Sequence, residues 1–367
     1  MKALISGGGT GGHIFPALSI ANEIKRRDPE AEILFVGAQG RMEMERVPAA
    51  GYEIIGLPIM GFDRKRLWRN FKTLYKLWRS RRMARKIIRD FAPDIAIGVG
   101  GYASGPTLLE AQKAGVPTLV QEQNSYAGVT NKHLGKKADV ICVAYEGMDR
   151  FFPADRIVMT GNPVRRNIVE CDVDRAEAKK QLGFDPDKPL VAVVGGSLGA
   201  RTLNDSMKLA LKALVTYGAQ VLWQTGRIYA DECQPVAEGI EGVQCMPFVS
   251  RMDLVYRAAD VMVSRAGAST ISEIQLVGAP TILVPSPNVA EDHQRKNAEA
   301  LANRAAAIMI LDADCRSNLG KTIIDLLDNE AKRTALSQNA LKMALPNADA
   351  LIVDRALELI NSKNQSK

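Results

Sequence analysis

Three glycine-rich stretches carry the chemistry that is easiest to read in this chain. They are Gly7-Gly8-Gly9-Thr10-Gly11-Gly12-His13, Gly98-Val99-Gly100-Gly101-Tyr102-Ala103-Ser104-Gly105 and Gly195-Gly196-Ser197-Leu198-Gly199-Ala200-Arg201, and each follows an apolar run of strand character. Glycine lets the backbone come close to a bound oxyanion and reach positive φ. A helix starting behind such a loop offers unpaired N–H groups and the positive end of its dipole. A tight strand-to-helix turn also wants glycine, so one loop says little. Three of them, divided between the two halves of the chain, point to phosphate binding on both sides of a cleft. The first also fits G-x-G-x-x-G through Gly7, Gly9 and Gly12, the pattern of a dinucleotide-binding turn. An NAD(P)-dependent oxidoreductase is therefore the alternative reading. That fingerprint needs an acidic residue at the end of the second strand to hold a ribose, and here the strand ends Val36-Gly37-Ala38-Gln39.

The elements that must position these loops alternate along the chain. Ala3 to Ile5 reads as a strand, Ile14 to Arg27 as a helix and Ile33 to Val36 as a second strand. Asp94 to Val99, Thr118 to Val120 and Val140 to Val143 continue the series. It restarts with a strand at Leu190 to Val194, a helix from about Leu203 to Tyr217, and strands at Val221 to Gln224, Val261 to Val263 and Thr281 to Val284. Such alternation predicts an α/β fold with two Rossmann-like domains in tandem, each a parallel sheet covered by helices, facing each other across a cleft. The expected division is 1–163 and 164–344, with the turn-rich Thr160-Gly161-Asn162-Pro163 at the joint. A C-terminal helix at about 345–362 is assigned to the first domain.

Of 367 residues, 46% are apolar, enough for two cores, and no apolar run is long enough for a spanning helix. Met1-Lys2 followed by a short strand does not read as a signal peptide. The five cysteines (Cys142, Cys171, Cys233, Cys245, Cys315) form no CxxC pair. They suggest neither a disulfide framework nor a zinc site, and fit a reducing cytoplasm. The net charge of +7 is local: residues 64–89 hold twelve Lys and Arg with no Asp or Glu, and the rest of the chain carries 36 basic against 41 acidic residues. Within that field Leu67, Phe71, Leu74 and Trp78 recur on one helical face, flanked by Trp68 and Tyr75. An apolar aromatic stripe among cations suits anionic lipid headgroups. A core stripe with a solvated basic face is the plainer reading. Nucleic acid is a third, with no supporting motif elsewhere.

Seven blocks together are far more specific than any one: GGGTGGHIFP at 7–16, GVGGYASGP at 98–106, EQNSYAGVTNK at 122–132, TGNPVR at 160–165, GGSLGAR at 195–201, SRAGASTISE at 264–273 and DHQRKNA at 292–298. Over essentially its whole length the chain resembles the MurG family of GT-B N-acetylglucosaminyltransferases. The resemblance implies that GlcNAc passes with inversion from UDP-GlcNAc to the C4 hydroxyl of MurNAc in lipid I, the undecaprenyl-diphosphate-linked MurNAc-peptide. It implies acceptor and membrane binding by the N-terminal domain, donor binding by the C-terminal one, and a peripheral position on the cytoplasmic face of the bacterial inner membrane. The expected partners are UDP-GlcNAc, lipid I and anionic membrane lipids, with no nucleic acid.

Displacement at an anomeric carbon needs a base for the acceptor hydroxyl and stabilisation of the departing diphosphate. The resemblance assigns His13 as base or as a cationic ligand of the acceptor diphosphate. Glu122 is the competing base, with Tyr102 and Asn124 as positioning groups. For the acceptor diphosphate it implies Gly9, Gly12, Gly100, Gly101 and Tyr102. For the donor it implies Thr10, Gly11, Gly12 and Asn124, with Arg165 and Ser197 toward the phosphates. Val249 would pair with uracil through its backbone, Glu273 would accept the ribose hydroxyls, and His293 and Gln294 would touch the sugar. His293 replaces a frequent Gln of the family, and Gln121 a frequent His. No cofactor or metal is expected. The D-x-D triplets Asp172/Asp174 and Asp185/Asp187 look like turn or cap residues, and Asp312/Asp314 is a weak metal candidate.

Overall fold

The computed structural model describes residues 1–61, 70–196 and 198–365. It divides into two compact units, Met1–Val164 with Leu345–Lys367, and Arg165–Ala344.

The first unit runs β1 (Lys2–Ser6), α1 (Gly11–Arg27), β2 (Glu32–Ala38), α2 (Glu43–Ala49), β3 (Glu53–Leu57), α3 (Asn70–Phe91), β4 (Ile95–Gly98), α4 (Ser104–Lys113), β5 (Thr118–Glu122), α5 (Val129–Gly135), β6 (Val140–Val143) and β7 (Ile157–Met159). Among the described residues its sheet has seven strands, all parallel, in the order β3-β2-β1-β4-β5-β6-β7. Parallel strands covered on both faces bury nearly every side chain, and Ala3, Leu4, Ile5, Ile95, Ala96 and Ile97 are all fully buried.

The second unit repeats the plan with α6 (Arg166–Val169), α7 (Arg175–Gln181), β8 (Leu190–Val194), α8 (Arg201–Tyr217), β9 (Gln220–Gln224), α9 (Ala230–Ala237), β10 (Val243–Met246), α10 (Met252–Ala258), β11 (Val261–Ser264), α11 (Ala268–Val277), β12 (Thr281–Leu283), α12 (His293–Ala302), β13 (Ile308–Met309), α13 (Cys315–Leu327) and α14 (Glu330–Lys342). Its described sheet has six parallel strands in the order β10-β9-β8-β11-β12-β13. Leu203, Met207, Ala210, Leu211 and Leu214 line one face of α8 and pack with Leu319, Ile323 and Leu326 of α13 over Trp223. Gly218, at φ 93°, closes α8 in the left-handed conformation, which glycine adopts without a Cβ penalty.

The last helix, α15 (Ala348–Gln365), belongs to the first unit. Ile352, Val353 and Ala356 join the core under α1. Arg27 ties the two helices through Asp354 and the Ala350 carbonyl. No helix of the described residues is long and apolar enough to cross a membrane.

Helix α3 carries most of the basic field that lies within the described residues. Its Ala84, Ile87 and Ile88 face the core, while Leu74, Tyr75 and Trp78 stand in solvent at 52, 61 and 58% exposure. The Tyr75 and Trp78 rings stack with centroids 6.2 Å apart, and Arg82 lies over Trp78 at 5.9 Å. Leu67 and Trp68 of the expected stripe lie outside the described residues, as does the side chain of Phe71.

Two of the arginines pair with a buried carboxylate. Arg81 and Arg85 reach the buried Glu110 on α4, their Nε atoms at 2.8 and 3.0 Å from its two oxygens. Burial pushes the Glu110 carboxyl up, but the hydrogen bonds from Arg81 and Arg85 outweigh it and leave the group below its ordinary value of 4.5. A carboxyl lowered in the fold stabilises it above the unfolded-state value, and that stability is lost as pH falls through the folded-state value. Glu110→Gln should therefore lower the melting temperature at neutral pH. The gap from wild type should close as pH falls below the ordinary carboxylate range. A gap that stays constant down to acid unfolding would rule out this role for the ion pairs.

Candidate functional site

In an open parallel sheet, ligands bind beyond the carboxyl ends of the strands where the strand order reverses. That point lies between β1 and β4 in the first unit and between β8 and β11 in the second. The first two glycine loops leave β1 and β4, and the third leaves β8 opposite the Arg265–Gly267 turn after β11.

The loops after β1 and β4 interlock. A Cβ on Gly101, at φ 89°, would lie 2.4 Å from the Gly8 carbonyl oxygen, and one on Gly7 would lie 2.1 Å from Val99 Cγ2. Only hydrogen fits at either position, which explains why these residues are glycine. The Ser104 hydroxyl donates to the carbonyls of Ser6 and Gly100 and fastens the second loop to the first strand.

His13 sits in the first turn of α1. Its Nδ1 is 2.9 Å from the Gly8 carbonyl oxygen. A carbonyl can only accept, so Nδ1 carries the proton and Nε2 is the acceptor nitrogen of the neutral ring. A Cβ on Gly100 would lie 2.9 Å from Nε2, so the bare backbone there gives the imidazole its room. Thr10 is the N-cap of α1, followed by Gly11 and Gly12 as its first residues. The N–H of Gly9 is taken by Glu43 Oε2 at 2.8 Å. Gly9, expected at the acceptor diphosphate, thus has its N–H engaged within the fold. Tyr102 is 48% exposed beside Gly61, where a Cβ would lie 2.5 Å from its hydroxyl.

Glu122 is not placed as a base. It is 1% exposed. Oε1 accepts from the backbone N–H and side-chain amide of Asn124, and Oε2 from Gly128 N–H and Asn131 Nδ2. With four donors its lone pairs are filled, and its work is to hold the 122–131 loop. Gln121 is fully buried and donates to Asn162 Oδ1 at 2.9 Å. That position meets no solvent in this fold.

In the second unit Glu273, on α11, is 5% exposed. Arg165 grips it with Nε and a terminal nitrogen at 2.9 and 3.1 Å, and the Tyr256 hydroxyl donates to Oε2 at 2.7 Å. Burial works against the Arg165 charge, but Glu273 more than offsets it and raises the guanidinium above its ordinary value. Burial, then Glu273, push the Tyr256 phenol well above the tyrosine range, so it stays a donor. Three of the four acceptor positions of the carboxylate are thereby filled. The N–H of Val249 donates to Gln224 Oε1 at 2.9 Å, so a base pairing there would use the carbonyl or displace Gln224. Gln294, on the first turn of α12, accepts from Ser286 N–H at 2.9 Å, and His293 opens that helix. Ser197 lies outside the described residues.

The aspartate triplets have other work. Asp174 caps α7 by accepting from Glu177 N–H, Asp185 accepts from Asp187 N–H, and Asp312 accepts from Arg265 and from the Thr202 hydroxyl. Sequence reasoning missed Glu43 and Tyr256. Neither belongs to a recognisable motif, and each is found only through the group it holds.

Two doubly wound units with glycine loops at both switch points are the GT-B architecture. The chain belongs to glycosyltransferase family 28: residues 3–143 match the N-terminal domain of that family and 190–352 the C-terminal domain. It is 55% identical over 364 residues, 99% of each chain, to the UDP-N-acetylglucosamine–N-acetylmuramyl-(pentapeptide) pyrophosphoryl-undecaprenol N-acetylglucosamine transferase of Parabacteroides distasonis. The enzyme of that name from Bacteroides fragilis is 53% identical over 366 residues, 98% of this chain and 96% of that one. Among solved structures it is similar to Acinetobacter baumannii MurG, at a TM-score of 0.78 and 27% identity over 97% of this chain and 99% of that one. The oxidoreductase alternative finds no support. Gln39, where its ribose carboxylate would stand, donates to the Gly56 carbonyl.

The Tyr256 bond to Glu273 is buried and charge-assisted. Tyr256→Phe should lower the unfolding free energy by about 1.5–3 kcal/mol, the usual range for a hydrogen bond to a charged group. Most of that loss should vanish in a Glu273→Ala background. Strictly additive effects in urea unfolding would contradict the coupling.

Proposed function

We propose that this enzyme transfers GlcNAc from UDP-GlcNAc, with inversion, to the C4 hydroxyl of MurNAc in undecaprenyl-diphosphate-linked MurNAc-pentapeptide. The observation that carries the reading is likeness along the whole chain to transferases of that name, at 51 to 55% identity, together with glycine loops at both switch points.

In this mechanism His13 Nε2 takes the proton of the acceptor hydroxyl as oxygen attacks the anomeric carbon and UDP departs. The Gly8 carbonyl supports the role by holding the proton on Nδ1. The loops at Gly12 and at Gly100-Gly101, with Tyr102, receive the acceptor diphosphate. Thr10, Gly11 and Asn124 are the donor-binding residues assigned to the first unit. On the second unit the start of α11 receives the UDP phosphates, and Ser197 is a phosphate contact by its place in the family motif. Glu273 accepts the ribose hydroxyls, Val249 meets uracil, and His293 and Gln294 meet the sugar. Because Arg165 holds two of the four acceptor positions of Glu273, ribose binding shifts Arg165 toward the diphosphate, where its charge offsets that of the leaving group. No metal is needed, a reading supported by the other engagements of Asp174, Asp185 and Asp312.

The purified enzyme, given UDP-GlcNAc and a short-chain lipid-linked MurNAc-pentapeptide diphosphate, should form the disaccharide at an undiminished rate in excess chelator. His13→Ala should lower kcat/KM for the acceptor by about a hundredfold or more and leave the KM for UDP-GlcNAc nearly unchanged. Wild-type activity should fall as pH drops and the imidazole becomes charged. Absence of transfer by the wild type would reject the function. Complete loss in chelator, restored by one metal, would reject the metal-free step.

The same reading puts α3 against the cytoplasmic leaflet of the bacterial inner membrane, with Leu74 and Trp78 entering the headgroup region among the cations. The solvent exposure of Leu74 and Trp78 supports it. The enzyme should float with phosphatidylglycerol-containing vesicles and not with phosphatidylcholine vesicles, and salt should weaken the binding. Trp78→Ala should weaken it further. Undiminished binding of the variant to the phosphatidylglycerol vesicles would exclude this face.

A further inference from the structure

A carboxylate that the mechanism does not use lies beneath the first glycine loop. Glu43 is the first residue of α2 and is 1% exposed. Its Oε2 accepts from Gly9 N–H at 2.8 Å and its Oε1 from Ala38 N–H at 3.0 Å. The surrounding backbone is cut to its shape. A Cβ on Gly8 would lie 2.2 Å from the Glu43 carboxyl carbon, and one on Gly37 would lie 2.6 Å from its Cγ. Burying a carboxylate is costly, and two neutral backbone donors offset only part of the cost. An apolar side chain would fill the space more cheaply, but it could not take both N–H groups at once.

The peptide that Glu43 holds is the one that holds His13. Gly9 N–H points to Glu43, while the carbonyl of the same peptide unit, that of Gly8, accepts from His13 Nδ1 and packs against Gly101. One amide plane thus links a buried carboxylate to an imidazole. Rotating that plane would take the carbonyl away from Nδ1 and would also open the contact with the second glycine loop.

We propose that Glu43 is a positioning residue for His13, acting as a fixed internal anion that locks the Gly8–Gly9 peptide and through it the ring orientation and tautomer of the histidine. The proposal rests on the reading that His13 acts on the acceptor hydroxyl. Glu43→Gln retains size but can accept at only one oxygen, so one of the two N–H bonds is lost. It should lower kcat/KM for the short-chain lipid-linked acceptor by about tenfold to a hundredfold, the scale on which small misplacements of a reacting group act. The melting-point shift produced by UDP should stay at its wild-type value, because the nucleotide-binding residues of the second unit are untouched. In a His13→Ala background the same substitution should have no further effect, since the group it positions is gone.

Unchanged acceptor kcat/KM in Glu43→Gln overturns the proposal, and so does an equal loss in both backgrounds. If the glutamine variant does not fold, Glu43→Asp is measured in the same way. Its shorter side chain reaches one N–H only, and it should show the same dependence on His13. Failure of the parent reading looks different: the wild type then transfers no GlcNAc, or His13→Ala keeps full activity.

Discussion

All strands of a parallel sheet end on one edge, and where the strand order reverses the two adjacent loops turn away in opposite directions. The loops after β1 and β4 exploit that divergence, and then press together so closely that Gly101 has room for no side chain against the Gly8 carbonyl. The rest of the first unit's site follows from this contact. It fixes the Gly8 carbonyl, the carbonyl fixes the proton on His13, and the helix begun by Gly11 and Gly12 carries the ring. Buried polar groups there bond mostly to one another, with Gln123 Oε1 and Asn131 Oδ1 as exceptions. Glu122 holds its own loop, and Gln121, Gln123 and Asn162 form a buried chain of amides beside it. In the second unit the Arg165–Glu273–Tyr256 cluster does comparable work around one carboxylate.

The strands legible in the sequence are those covered on both faces, such as Leu4 in β1 and Val191 in β8, because continuous burial demands continuous apolar runs. The ones missed are β3, β7, β10 and β13, and all four are sheet edges. An edge strand is short and half solvated, so Glu53 can begin one and Gln244 can interrupt another. Helix α1 begins at Gly11, ahead of the Ile14 that starts its apolar pattern. Its first turn is glycine because the loop, not helix propensity, sets those residues.

The sequence motifs single out His13 and Glu273, and the structure gives each a specific hydrogen-bond partner. It was not readable where a residue acts by supporting another. Glu43, in the run Arg41-Met42-Glu43-Met44-Glu45-Arg46, has the look of an ordinary charged helix start. Glu122 shows the opposite error. A carboxylate at the end of a strand invites a catalytic reading, and only its four donors reveal that it is a brace. The basic segment was likewise too uniform on paper, since Arg81 and Arg85 are paired with the buried Glu110 while they still reach solvent.

The return of α15 to the first unit makes the second unit an insertion in the sequence of the first. The two crossings lie together, with Gly161 packed against Leu345. During synthesis, residues 165–344 emerge as one uninterrupted stretch and can close their own core while still tethered to the ribosome. The earlier-made unit has to wait. Until the last turns of α15 leave the exit tunnel, the surface of α1 destined for Ile352, Val353 and Ala356 has nothing to cover it. The unit translated first is therefore the one completed last, and a ribosome stalled short of the final helix would hold a finished second unit beside a first unit with an open flank.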